Sequence, residues 1–333
     1  MKIENKRQWI GELFFLLGTI LYITYYFFYI AYCWYVEKDP TRQMPVQRLF
    51  YIGLICFVVK IILTKYQWKE VIIGAVGAVL MYLCWKSSGG IDYPANYLII
   101  LAMKDVDLKK VMKAVFACGF VGLSYGFTWF FVNAPDKLTT VKDYGRGMIE
   151  VRYKFCTWHA NTIHLMIMVL IVSFLYAYYK KMKWWAFAIM FYFNYEFYQL
   201  SKSRTAFYCG SAAIIAYFIL RYARKIYEFK ISLILLEIGN LVGIFLSIYY
   251  GLYSQLTDPT FMRLDQLITG RLTVARNCFL EAGIPLFGSN IGGKVCGYGI
   301  YTQANDGYVT ELGIVRTLLE YGPIVFGLFC AFM

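Results

Sequence analysis

Two serines and an arginine lie together at the start of an apolar segment near residue 205. The run Gln199-Leu-Ser-Lys-Ser-Arg204 places the hydroxyls of Ser201 and Ser203 beside the guanidinium group of Arg204. A guanidinium group offers two parallel N–H donors, which match the paired oxygens of a phosphate or diphosphate. The alternative is an arginine that only extends toward lipid head groups from a helix end. The grouping therefore indicates a candidate diphosphate site, with the two serines as further donors.

A second pair of arginines lies in a polar stretch further along the chain. Arg271 follows Thr269-Gly270, and Arg276 comes shortly after it. A solvated arginine in a loop is the ordinary explanation of such residues. On the same side of a membrane as Arg204, the guanidinium group of Arg271 would complete a clamp for a diphosphate, which one arginine would hold poorly. We therefore expect Arg204 and Arg271 to lie close together, and Arg276 to contribute to substrate binding.

The only two histidines of the chain fall in one short stretch. It runs Arg152-Tyr-Lys-Phe-Cys-Thr-Trp-His159-Ala-Asn161-Thr-Ile-His164. An imidazole accepts a proton near neutral pH, so His159, near the predicted outer surface, is a candidate general base. A neutral histidine that caps a helix start is the alternative. Asn161 could orient a substrate hydroxyl or satisfy helix-end donors, and Arg152 is assigned to substrate binding.

The run Asn305-Asp-Gly-Tyr308 precedes the last apolar segment. Asn-Asp-Gly is typical of a turn, and Asp306 either caps the following helix or serves as a general base. Tyr308 is assigned to substrate binding. Further along, Arg316 and Glu320 are spaced for an ion pair on one helix face. Ionisable residues in a membrane span are costly, so we expect these two to be functional or mutually paired.

Apolar segments of membrane-spanning length make up most of the chain. Hydrophobic residues account for 60% of the 333 residues and charged residues for only 16%. About 20 apolar residues in a helix cross the hydrocarbon core, and lipid satisfies no backbone group of an open strand. The predicted fold is an all-α, polytopic transmembrane helical bundle of about ten helices. The expected spans are 13–34, 49–64, 71–85, 91–103, 111–133, 157–178, 184–199, 205–221, 231–250 and 314–333.

The predicted organisation has three parts. Residues 1–250 hold helices one to nine with short loops, residues 251–308 form a large extracytoplasmic loop, and residues 309–333 hold the last helix. The loop is rich in Phe, Leu and Tyr, which predicts an ordered cap over a site at the membrane surface. Lysine and arginine are concentrated in the short loops that face the cytoplasm if the N-terminus is inside, so the positive-inside rule favours that orientation. This bias explains most of the net charge of +13. The nine cysteines are scattered without metal-binding spacing, so neither a metal nor a cofactor is expected.

In combination, the motifs make the chain similar to the Wzy-type polysaccharide polymerase and O-antigen ligase family. The matching pieces, in order, are Ser201-Lys-Ser-Arg204, Thr269-Gly-Arg271, Pro285-Leu-Phe-Gly288, and Asn305-Asp-Gly-Tyr308 followed by Leu319-Glu-Tyr-Gly322. The run His159-Ala-Asn161 resembles a His-Pro-Asn pattern of Gram-positive members, with Ala160 where proline is usual. The end at Met333, inside an apolar run, suggests that C-terminal helices of longer relatives are absent.

The resemblance implies glycosyl transfer at the outer face of the bacterial cytoplasmic (inner) membrane. The donor would be an oligosaccharide repeat unit on undecaprenyl diphosphate. The acceptor would be a second lipid-linked unit in a polymerase, or a separate molecule in an O-antigen ligase. Arg204 and Arg271 would stabilise the departing diphosphate, and His159 or Asp306 would deprotonate the acceptor hydroxyl. A single direct displacement would invert the anomeric centre, with neither metal nor nucleotide required.

The implied partners are the lipid-linked oligosaccharide, membrane lipids, a flippase and a chain-length regulator, with no role for nucleic acid. A flippase or other transporter of the same lipid-linked sugars is the main alternative to an enzyme. Transporters often carry internal repeats and a polar site near the middle of the membrane. The sequence has no evident repeat, and its polar residues are concentrated toward one predicted face, which favours the enzyme.

Overall fold

The computed structural model of the chain describes residues 2–36, 40–133, 135, 138–143, 149–155, 157, 160–223, 225, 230–254, 257–268, 270–291 and 312–332. Helices dominate this part of the chain, and a two-stranded sheet, β1 (Thr139–Asp143) and β2 (Ile149–Tyr153), accompanies them. The twelve helices are α1 (Lys2–Val36), α2 (Pro40–Leu63), α3 (Trp68–Ser88), α4 (Asp92–Ala102), α5 (Leu108–Asn133), α6 (Ala160–Tyr178), α7 (Trp184–Ser201), α8 (Arg204–Tyr222), α9 (Lys230–Ile248), α10 (Pro259–Leu267), α11 (Arg271–Ala282) and α12 (Gly313–Phe332).

The predicted all-α, polytopic fold is confirmed. Each of the ten expected spans coincides with a helix. Within the described residues, seven helices are long and apolar enough to cross a membrane: α1, α2, α3, α5, α6, α8 and α12. The apolar part of α4, Tyr93–Ala102, is shorter than these. The hairpin of β1 and β2 lies between two expected spans, where a loop was predicted.

The chain divides into two compact units. The first comprises Met1–Lys65, Leu98–Lys142 and Glu150–Phe229, and the second comprises Tyr66–Tyr97, Asp143–Ile149 and Lys230–Met333. The predicted boundaries at residues 250 and 308 were the ends of the expected loop, and they do not coincide with the boundaries of these units. Backbone contacts group α3 with α9 to α12, which residue order along the chain could not reveal.

In the first unit, α6 lies at the centre. It packs against α5, α7 and α8, and half of the residues in its most apolar stretch are buried. A Cβ atom added to Gly119 of α5 would lie 2.6 Å from the side chain of Leu170, so this glycine allows a close approach of α5 to α6. The core around these helices includes Phe27, Phe130 and Ile163.

Helices α1 and α2 of the first unit pack side by side through small and aromatic residues. A Cβ atom on Gly18 would lie 3.1 Å from the carbonyl oxygen of Gly53, which shows how near the two backbones come. The rings of Phe15 and Phe57 contact each other at a tilted angle beside this crossing, with their centroids 5.2 Å apart. Van der Waals packing of this kind is a main source of helix association in lipid.

In the second unit, the large loop begins as two helices, α10 and α11, that pack on each other, and α11 also packs against α12. Helix α11 buries one face, which includes Leu272, Ala275 and Cys278, and the core that it joins includes Val315 and Leu319 of α12. Residues 257–268 and 270–291 of the expected loop thus contain α10, α11 and the turn that follows them. Residues 292–311, which complete the loop, lie outside the described residues.

Candidate functional site

The turn between α7 and α8 carries the first candidate arginine. Ser201 ends α7, Lys202 adopts a left-handed backbone conformation with φ 54°, and Ser203 is the N-cap of α8. Arg204 is the first residue of α8, as predicted. Its side chain is exposed, and it makes no hydrogen bond or ion pair to any residue that the structure describes. Ser203 is buried, and within the same described part of the chain its hydroxyl has no hydrogen-bond partner.

A buried histidine joins this turn to α6 and α7. The Nδ1 atom of His164 lies 2.9 Å from the hydroxyl of Ser201, and the Nε2 atom lies 3.0 Å from Oδ1 of Asn194. His164 and Asn194 are fully buried, and Ser201 is buried as well. The imidazole ring thus links α6 to α7 at the base of the α7–α8 turn.

The partners of Asn194 determine which atoms of this network donate. Its Nδ2 atom lies 3.0 Å from both the carbonyl oxygen of Phe207 and the hydroxyl of Ser211. A carbonyl can only accept, so the amide nitrogen faces α8 and Oδ1 faces the imidazole. Nε2 of His164 therefore carries a hydrogen, and in the neutral ring Nδ1 accepts from the Ser201 hydroxyl.

The hydroxyl of Ser201 completes this network and connects it to the α7–α8 turn. Besides its bond to His164, it accepts the backbone N–H of Ser203 at 3.2 Å. Gly210 allows α8 to approach α7 here, because a Cβ atom at that position would lie 2.9 Å from Oδ1 of Asn194. A buried network in which His164, Asn194 and Ser201 each have partners favours one arrangement, and here it holds the backbone that presents Arg204.

Two further predicted residues of the first unit, Arg152 and Asn161, lie in β2 and at the start of α6. The Nε and Nη2 atoms of Arg152 donate to one carboxylate oxygen of Glu150 at 2.9 and 2.7 Å, and Arg152 is only 3% exposed. This ion pair holds the guanidinium group of Arg152, and its role in substrate binding stays a prediction. Asn161 is the second residue of α6 and is half-buried. His159, the candidate base, lies outside the described residues.

In the second unit, Arg271 is the first residue of α11. It follows Gly270, which has φ 80°, and the carboxylate of Asp265 accepts the backbone N–H groups of Leu272 and Thr273 at 2.8 and 3.2 Å. The carboxylate therefore occupies the end of α11 next to Arg271. The guanidinium group of Arg276 donates to the carbonyl oxygen of Leu252, which ties α11 to the end of α9. Both arginines are half-buried.

Two sequence motifs of the second unit, Pro285-Leu-Phe-Gly288 and Leu319-Glu-Tyr-Gly322, pack directly on each other. Helix α12 is kinked at Gly322, with φ 77°, and Gly288 has φ 76°. A Cβ atom on Gly322 would lie 2.6 Å from the backbone nitrogen of Gly288. The backbone N–H of Ser289 donates to the carbonyl oxygen of Leu319 at 2.9 Å. Pro285-Leu-Phe-Gly288 and Leu319-Glu-Tyr-Gly322 are therefore two sides of one backbone contact.

The predicted ion pair of α12 is confirmed. The Nε atom of Arg316 lies 2.8 Å from Oε2 of Glu320, whose side chain is 12% exposed, while that of Arg316 is 49% exposed. A Cβ atom on Gly90, at the end of α3, would lie 3.3 Å from the hydroxyl of Tyr321 and 3.6 Å from Oε1 of Glu320. The glycine thus leaves room for a half-buried polar cluster around the carboxylate.

Sequence reasoning did not assign His164, Asn194 or Ser211 to the site. Polar side chains inside apolar spans were the available signal, because such residues are costly in a membrane. Of the predicted residues, Asp306 and Tyr308 lie outside the described part of the chain, as does Thr269. The predicted clamp joins an arginine of the first unit to an arginine of the second, and it stays a prediction.

No protein-family profile, curated protein or solved structure matches the chain. The functional assignment is therefore carried by the residues and contacts described above.

Proposed function

We propose that the chain is a membrane glycosyltransferase that polymerises undecaprenyl-diphosphate-linked oligosaccharide repeat units. The reaction takes place at the outer face of the bacterial cytoplasmic membrane and builds a capsular, O-antigen or other surface polysaccharide. The polytopic helical fold supports this proposal, as does the order of the sequence motifs.

The observation that carries the proposal is the environment of Arg204. Its guanidinium group is exposed at the N-terminus of α8 and has no partner among the described residues. A helix N-terminus adds partial positive charge and unpaired N–H groups, which favour an anion such as a diphosphate. The buried network of His164, Asn194 and Ser201 holds the backbone of this helix end. Such preorganised donors stabilise a developing negative charge without rearrangement during the reaction.

The proposed reaction is a single displacement at the anomeric carbon. The acceptor hydroxyl oxygen forms a bond to that carbon, and the bond from the carbon to the diphosphate oxygen breaks. The electron pair of the broken bond leaves on undecaprenyl diphosphate, which Arg204 and Arg271 neutralise. The hydroxyl proton passes to a general base, for which His159 and Asp306 are the candidates. Attack from the face opposite the leaving group inverts the anomeric configuration.

Secondary contacts to the substrate follow from the same assignment. The buried hydroxyl of Ser203 offers a donor next to Arg204, whereas Ser201 acts through the hydrogen-bond network. Arg276, Asn161, Arg152 and Tyr308 are proposed to contact the sugar or the diphosphate. The reaction requires no metal or nucleotide, because the donor already carries its leaving group.

The proposal is tested with Arg204→Ala in the producing bacterium, with surface polysaccharide separated on gels. We expect loss of long polymer with retention of single repeat units, because the diphosphate loses its bidentate partner. Arg204→Lys should restore little, since an ammonium group lacks the planar fork. Arg221→Ala is the matched control: Arg221 is exposed in the last turn of the same helix and lies over the ring of Tyr222.

The products distinguish the alternative functions. A flippase variant would lose the single units from the outer surface together with the polymer. A ligase variant would accumulate long polymer on undecaprenyl diphosphate that is not transferred to its acceptor. Full-length polymer in both Arg204→Ala and Arg271→Ala would exclude the proposed role of these arginines.

A further inference from the structure

The first unit contains a basic cavity that the proposed reaction does not use. Its volume is about 300 Å³, and it lies between the start of α1, the end of α2 and the connection from α4 to α5. Its charged and polar lining includes Arg7, Lys60, Thr64, Lys65 and Asp105. Three cations and one carboxylate leave an excess of positive charge around the cavity.

The buried ammonium group of Lys60 is the unusual feature of this cavity. Lys60 is only 2% exposed, and its Nζ atom lies 2.8 Å from the hydroxyl of Thr64. Among the described residues, this is its single hydrogen bond, and no carboxylate forms an ion pair with it. An ammonium group has three N–H donors, and a buried charge without partners is costly. Two N–H donors of Lys60 therefore lack an acceptor among the residues that the structure describes.

The other two cations lie at the rim and are exposed. The guanidinium group of Arg7 is held in place, because Nη2 donates to the carbonyl oxygen of Ile62 at 2.7 Å. Lys65 lies two residues after the end of α2. Asp105, at φ 57° in the connection after α4, is the one acidic residue of the lining. The arrangement gives one buried cation at the base and two cations at the opening.

The position of the cavity along the helices indicates the ligand. The apolar spans of α1 and α2 are Lys6–Phe28 and Val46–Leu63, and the cavity lies where the first begins and the second ends. This is the level of the lipid phosphates at a membrane surface, and basic pockets between helices bind anionic head groups there. The positive-inside rule assigns this surface to the cytoplasm.

We propose that this cavity binds a phosphate group, either in the head group of an anionic lipid or as free phosphate. The ammonium group of Lys60 contacts a phosphate oxygen from below, and Arg7 and Lys65 close over it. The site is independent of the glycosyl transfer proposed above, because neither Arg204 nor the network of His164 takes part in it.

The test uses the full chain purified in a neutral detergent. Phosphatidylglycerol, diacylglycerol with the same acyl chains, and inorganic phosphate are added separately. Native mass spectrometry measures the retained lipid, and the apparent melting temperature measures stabilisation. The double variant Arg7→Gln/Lys65→Gln removes the exposed rim cations and leaves the buried Lys60 in place. Lys69→Gln/Lys109→Gln is the matched control, because both lysines are exposed and outside the cavity.

We expect the affinity for phosphatidylglycerol to fall about tenfold in the rim variant, and to change by less than about twofold in the control. Stabilisation by phosphatidylglycerol but not by inorganic phosphate would assign the phosphate to a lipid. The other outcome is stabilisation by inorganic phosphate that is lost in the rim variant, with no preference for phosphatidylglycerol over diacylglycerol. That result would show that the site binds free phosphate from solution. Equal losses in the rim variant and the control, or no binding of either phosphate compound, would overturn the proposal.

Discussion

Two buried polar regions of this protein are built in different ways. In the first unit, the network around His164 joins α6, α7 and α8 through neutral side chains. In the second unit, the kink of α12 joins the loop segment at Gly288 through backbone atoms, with the ion pair of Arg316 and Glu320 beside it. The network is closed to solvent, whereas the guanidinium group of the ion pair is half exposed.

The difference shows which kind of change each region tolerates. A network of side-chain hydrogen bonds depends on the identity of every member, because each lost partner leaves another buried polar group unsatisfied. A contact between two backbones depends instead on the absence of side chains. We therefore expect an added carbon atom at the α12 kink to destabilise the protein. In the His164 network, we expect the loss of any donor or acceptor to destabilise it.

The largest expected effect is that of Gly322→Ala. The new Cβ atom would lie 2.6 Å from the backbone nitrogen of Gly288, and the residue would be held at φ 77°. Strain and overlap together should cost roughly 4 kcal/mol or more, enough to abolish folded protein. Yield of monodisperse protein and apparent melting temperature in detergent measure this effect.

Gly327→Ala is the control for this prediction. It adds the same methyl group to the same helix, where nothing lies within 4 Å of the new Cβ atom. A Gly322→Ala protein with the melting temperature of the control would show that backbone proximity does not hold this region together.

A smaller effect is expected for Asn194→Leu, which keeps the approximate volume but removes the amide. Nε2 of His164 and the carbonyl oxygen of Phe207 then lose their partner. The expected destabilisation is about 3 kcal/mol, because each buried polar group without a partner costs about 1–3 kcal/mol. Polymer production should fall as well, since this network holds the backbone that presents Arg204.

Asn133→Leu serves as the comparison for Asn194→Leu. Asn133 is exposed at the end of α5, and among the described residues its amide donates only to the carbonyl oxygen of Trp129 in its own helix, at 2.8 Å. Equal melting temperatures of the two variants would refute the claim that the network specifies the packing of α6 to α8.

The smallest effect on stability is expected for Ser203→Ala, because the hydroxyl has no hydrogen bond to the described residues. We expect a change in unfolding free energy below about 0.5 kcal/mol, compared with about 1 kcal/mol for Ser201→Ala. Polymer yield should nevertheless fall by about threefold to tenfold in Ser203→Ala, since a donor to the diphosphate is lost. Equal thermal destabilisation by the two substitutions would give Ser203 a structural role instead.

Much of the helical framework could be predicted from the sequence. All ten expected spans are helices, and Arg204 begins α8 as its position in the sequence predicts. The ion pair of Arg316 and Glu320 was also predictable, because its partners are four residues apart on one helix. Hydrophobic runs, helix ends and spacing of this kind depend on residues that are neighbours along the chain.

The sequence by itself determined that this protein is a helical membrane protein with an arginine, Arg204, at the start of an apolar helix. The tertiary structure alone decided that His164 meets Asn194 and Ser201, and that Gly288 lies against Gly322. Hydropathy specifies that a helix crosses the membrane, but not its depth or its rotation about its own axis. Those two variables determine which polar side chains of separate helices meet, and they are set by packing against the neighbouring helices.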